Sequence, residues 1–193
     1  LRSTFAADLR ADDRADLTAL LGRMLHESVG EARWSDARET AECLVESADG
    51  AWDPSTLVDE LARPESFVTA AVVRHLDAST VAELGEFTAF VRALGAPAAH
   101  WLMCIIALAG HQRTRRTLLR SGTDLCEGKP ERLASWLADA RWYVVRNAVI
   151  VVGSTEGGAA PELFRPLVGH PEPRVREAVV AALAPLPPDK ARP

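Results

Sequence analysis

Two tryptophans, a tyrosine, an aspartate and an arginine crowd into Ser135-Trp136-Leu137-Ala138-Asp139-Ala140-Arg141-Trp142-Tyr143, in a chain of 193 residues that has 5 Trp and 1 Tyr in all. Trp, Tyr and Arg carry much of the binding energy at protein interfaces, because each brings a large contact area with a polar handle. The same rings also serve as core, with Trp136 packed between helices and Trp142 and Tyr143 stapling the entry to the next one. Both uses stand open at this point. Arginines flank the cluster at helical spacing: Arg113, Arg116 and Arg120 before it, Arg146 beside Asn147 within the next helix, and Arg174 beyond. If the helices starting near His111, Trp142 and Pro173 lie side by side, these positions form a mainly cationic stripe suited to an acidic protein or peptide. Arg146 and Arg176 could equally be taken up in stacking one helix pair on the next.

Catalytic and metal chemistry find no assembled set. There is no His-Glu-x-x-His, no Gly-x-Ser-x-Gly and no dinucleotide fingerprint. His26, His75, His100, His111 and His170 are scattered singly, which suits surface or turn positions. Cys43, Cys104 and Cys126 are odd in number and far apart, so they match neither a disulfide framework nor a ligand cluster and point to a reducing compartment. Gly153-Ser154-Thr155-Glu156-Gly157-Gly158 is rich in glycine, but no Gly-Lys-Ser/Thr follows, and a turn between helices explains it. The expectation is a non-enzymatic chain with no catalytic residues, no metal and no cofactor.

The elements that must position these residues come from a repeat. Val145-Arg146-Asn147-Ala148-Val149 recurs as Val175-Arg176-Glu177-Ala178-Val179, and Leu133 and Leu137 recur as Leu163 and Leu167, all at an offset of 30 residues. An apolar i, i+4 pair, a turn and Val-Arg-x-Ala-Val describe two helices with a buried face too small to stand alone, so copies must stack. A degenerate earlier copy falls on Met103, Ala107, Arg116, Leu118 and Leu119. Its turn, His111-Gln112-Arg113, has neither proline nor acid.

Over Glu131 to Leu186 these residues resemble bacterial short HEAT-like repeats, the kind also found in phycobilin lyases. The resemblance rests on Asp139 to Ala148 and on His170-Pro171-Glu172-Pro173-Arg174-Val175-Arg176-Glu177-Ala178. It implies an all-α, right-handed α-α superhelix (a HEAT-like solenoid) of about five or six antiparallel helix pairs, in which second helices line the concave side. It also implies that an acid in the turn and the Arg after Val support stacking; Asp139, Arg146 and Arg176 match, while His170 stands where the second acid is expected. A protein-interaction scaffold or adaptor is the implied function. The aromatic and acidic cluster is also similar in composition to HEAT-like alkylpurine DNA glycosylases, so a DNA-binding, glycosylase-like protein is the alternative. Scarce lysine and an overall acidic chain weigh against nucleic acid, which draws affinity from phosphate neutralisation. No cysteine motif supports a lyase-like chemistry.

Composition bounds the rest. With 48% apolar residues and 6% aromatics the chain can bury a core, and its Ala, Leu, Val and Arg content favours helices. The net charge of −5 hides an asymmetry. Residues 1–110 carry 9 basic and 18 acidic side chains, and residues 111–193 carry 13 and 9. The most apolar run, Trp101 to Ala109, is too short to span a bilayer. No basic-apolar leader opens the chain, which sets the cytoplasm as the expected compartment and no membrane partner; the start at Leu1 reads as a fragment.

In chain order, Leu17, Leu20, Leu21, Met24 and Leu25 share a helix face closed near Gly30, and Trp34-Ser35 reads as an apolar residue before an N-cap. Asp53-Pro54 is an N-cap and first-turn proline, and Pro64 separates that helix from the next. Thr80-Val81-Ala82-Glu83 is a capping box, Gly95 a stop, and Pro97 opens the most apolar helix. The expected organisation is an irregular N-terminal helical portion or cap over 1–96, HEAT-like repeats over 97–187 and a tail over 188–193, as one continuous solenoid.

Overall fold

The computed structural model describes residues 11–47, 52–63, 67–126, 130–154 and 161–185, leaving aside the side chains of 11, 12, 47, 126 and 130–133. The Cys126 thiol, Leu133, residues 155–158 of the glycine-rich turn and the 188–193 tail therefore lie outside the described residues. Among the described residues the chain is all-helical, with no strand. No described helix is long and apolar enough to cross a membrane. The chain groups into two compact units, 1–114 and 115–193.

The first unit contains α1 (Ala11–Gly30), α2 (Trp34–Ser47), α3 (Pro54–Leu61), α4 (Phe67–Ala78), α5 (Val81–Leu94), α6 (Ala98–Leu108) and the start of α7 (Gln112–Cys126). Local chemistry sets several ends. Asp53 accepts the Ser55 N–H at 2.9 Å with Pro54 in the first turn, and Thr80 and Glu83 close a reciprocal capping box. The Thr80 backbone N–H, then its hydroxyl, hold the Glu83 carboxyl below its usual pKa. Gly95 ends α5 with φ 71°, a conformation that glycine adopts without a Cβ clash.

Trp34 departs from the sequence reading. It is the first residue of α2 and fully buried, so it heads the helix and Ser35 does not cap it. Its indole meets Phe87 edge-on at 4.8 Å and stacks near Phe90 at 6.0 Å, and both phenylalanines meet Trp101 edge-on. The apolar helix α6 is central, as its composition predicts, with Ala98 to Ile106 buried apart from His100. Trp101 Nε1 donates to Thr69 Oγ1 at 2.9 Å, and Thr69 donates to the Leu61 carbonyl, so one buried relay ties α6, α4 and the end of α3. A buried indole N–H left unpaired would cost about 1–3 kcal/mol, which this relay avoids.

The second unit contains the rest of α7, a 3₁₀ helix (Pro130–Ala138), α8 (Trp142–Gly153), the single turn α9 (Pro161–Phe164) running into a 3₁₀ turn (Arg165–Leu167), and α10 (Pro173–Leu183). The first helix of the clearer repeat is thus a 3₁₀ helix of nine residues, long for a form usually confined to short pieces. Repeat-related positions share their burial: Leu137 and Leu167, Val145 and Val175, Ala148 and Ala178, Val149 and Val179 are all buried. The 3₁₀ helix packs on α8, α9 packs on the 3₁₀ helix, and α8 packs on α10. Helices α8 and α10 run parallel, since Trp142 lies by Arg174 at their starts and Gly153 by Ala182 at their ends. A Cβ on Gly153 would sit 2.5 Å from the Ala182 Cβ, so only glycine permits this approach.

Candidate interaction surface

The turns before α8 and α10 use one geometry with two different side chains. Asp139 Oδ1 accepts the N–H of Arg141, two residues on, at 2.8 Å; His170 Nδ1 accepts the N–H of Glu172, also two residues on, at 3.1 Å. The imidazole does the work of the missing acid. Asp139 also takes the Arg141 guanidinium in a two-pronged contact at 2.9 Å on both oxygens, which occupies that cation.

The matched arginines then diverge. Arg176 donates to the carbonyls of His170 at 2.7 Å and Pro171 at 3.0 Å, closing its own turn. Among the described residues Arg146 reaches only the adjacent Asn147 Oδ1, at 3.3 Å, and Asn147 is itself buried.

Three predicted site residues come together at the starts of α8 and α10. The Trp142 and Tyr143 rings meet edge-on at 5.8 Å, and the Arg174 guanidinium lies over the Trp142 indole at 5.3 Å from its centroid. Such a placement is favourable by about 0.5–1 kcal/mol at an exposed site. Tyr143 and Arg174 are exposed and Trp142 is half-buried. Arg174 also stands 4.0 Å from Glu172, a contact too long and exposed to neutralise it. A guanidinium over a ring face still has N–H donors to offer a carboxylate. Arg146 is one helical turn from Trp142 and lies on the same side of α8.

The remaining predicted residues are all on α7. Arg116 and Arg120 are exposed and share a face at i, i+4, and neither forms an ion pair among the described residues. Arg113 belongs to the first unit, where it donates to the Ser79 carbonyl. It is a structural contact there. The sequence reading set Arg174 in a polar stripe and missed its seat on Trp142, although a 32-residue separation, one repeat and two positions, hints at it.

No protein-family model, curated protein or solved structure matches this chain.

Proposed function

We propose that the protein is a non-enzymatic interaction scaffold built from HEAT-like repeats, a right-handed α-solenoid over its repeat region, acting in the cytoplasm and binding an acidic segment of a partner protein. The observation that carries the reading is the cluster of exposed Tyr143, half-buried Trp142 and exposed Arg174, in which a guanidinium lies over an indole. Aromatic area and an oriented cation are what an acidic peptide with an apolar side chain would use. Parallel packing of α8 on α10 and the shared burial at an offset of 30 residues support the repeat reading. Arg146 extends the cationic edge, and Arg116 and Arg120 are further candidates on α7.

Affinity capture from the source cell, with the native chain and an Arg174→Glu variant in parallel, tests this reading. A protein retained by the native chain, released by moderate salt and lost with Arg174→Glu supports it. Retention unchanged in the variant would move the surface elsewhere. An excision assay on alkylated duplex DNA separates the glycosylase-like alternative, and release of a modified base would overturn the scaffold reading.

A further inference from the structure

A second candidate site lies in the 1–114 unit, independent of the cluster above. A cleft of about 480 Å³ separates α1 from α3, within the size range of small-molecule sites. Gly22, Arg23 and His26 line it from α1, and Trp52, Asp53 and Glu60 line it from α3 and the residues leading into it. One wall is therefore basic and the other acidic. The walls touch through His26 Nε2 and Glu60 Oε1 at 3.4 Å. Arg23 forms no ion pair among the described residues, so the two signs are not otherwise cancelled. Gly22 borders open space, since a Cβ built there meets nothing within 4 Å, so a larger side chain has room to extend from it.

The geometry points to a binding site for a small zwitterion of amino-acid size, its carboxylate on Arg23, its ammonium on the Glu60 and Asp53 side, and its side chain along Trp52. A simple anion would face Asp53 and Glu60, and a simple cation would face Arg23. A ligand carrying both charges complements both walls, whereas a singly charged one is attracted by one wall and repelled by the other. The Trp52 indole offers a flat apolar surface to the rest of the ligand.

Calorimetric titration of the native chain with L-phenylalanine, L-leucine and L-arginine tests this, each beside its decarboxylated amine and its deaminated acid. At least one amino acid should saturate with a Kd at or below about 1 mM, and both of its single-charge analogues should bind about tenfold more weakly. Gly22→Leu fills the cleft at a helix-interior position where leucine is intrinsically favoured over glycine, so its Tm should hold or rise while binding is lost. Arg23→Gln changes an exposed side chain and should weaken binding about tenfold without a change in Tm. Three results would each overturn the proposal: no saturation by any of the amino acids up to about 10 mM, equal affinity for a single-charge analogue, or unchanged binding in a folded Gly22→Leu protein.

Discussion

Asp77, at the end of α4, accepts the backbone N–H of Gly110 at 2.7 Å and that of His111 at 3.1 Å, supplying from 33 residues upstream the acid that the turn before α7 lacks. His111 Nδ1 returns a hydrogen bond to the Asp77 carbonyl at 2.9 Å. Burial alone would raise the Asp77 carboxyl, but the two N–H groups, the Thr114 hydroxyl and the His111 charge outweigh it and hold its pKa below the usual value. A depressed folded pKa adds stability above the unfolded carboxylate value and loses it as pH falls through the folded one. Asp77→Ala should therefore cost about 1 kcal/mol at pH 7 in urea unfolding. The gap between variant and native chain should close below about pH 4. A gap that stays constant with pH would show that the carboxylate charge is not what holds the turn.

Gly153→Ala should destabilise the second unit by about 1–3 kcal/mol, because the new methyl would overlap Ala182 and force α8 from α10. Adding Ala182→Gly should recover part of the loss. The double-mutant cycle in urea measures the coupling, and purely additive effects would mean that the two helices do not meet there.

His170→Asp should fold at least as well as the native chain, since a carboxylate takes the same N–H in the turn at Asp139 and Arg176 stands close by. His170→Ala removes the acceptor and should cost about 1 kcal/mol. Thermal unfolding of the two variants side by side decides the matter; equal losses would reject the equivalence of His170 and Asp139.

Arg174→Glu should cost no more than about 1 kcal/mol of stability, the worth of its contact with Trp142, and abolish partner capture. Arg116→Glu with Arg120→Glu tests α7 without disturbing the fold. Arg113→Glu does not, because it would break the bond to Ser79 and set a carboxylate against that carbonyl.

Features written within one helical turn were legible in the sequence. Thr80 with Glu83, Asp53 with Pro54, and Gly95 each satisfy a neighbouring backbone group, so residue type and spacing suffice. The apolar pattern at an offset of 30 residues likewise reappears as shared burial. Relationships made by tertiary packing were not legible. Asp77 meets Gly110 and Arg113 meets Ser79 through single polar groups that leave no period behind, and the 32-residue step from Trp142 to Arg174 is only a hint of their contact. Trp34 shows the same limit, since the capping rule set it ahead of the helix that it heads, and only the Phe87 and Phe90 rings explain its burial. The cleft between α1 and α3 joins residues about 30 positions apart, and no spacing within either helix announces it.

The parallel seating of α8 on α10 also bears on how quickly the second unit can form. Its partners, Trp142 with Arg174 and Gly153 with Ala182, lie about 30 residues apart along the chain, so each closure spans one modest loop. Closing a loop of that size costs little more than closing one half as long, about 0.6 kcal/mol per doubling. A helical unit assembled from such short-range closures should refold on the microsecond to millisecond scale, without waiting for distant parts of the chain to meet.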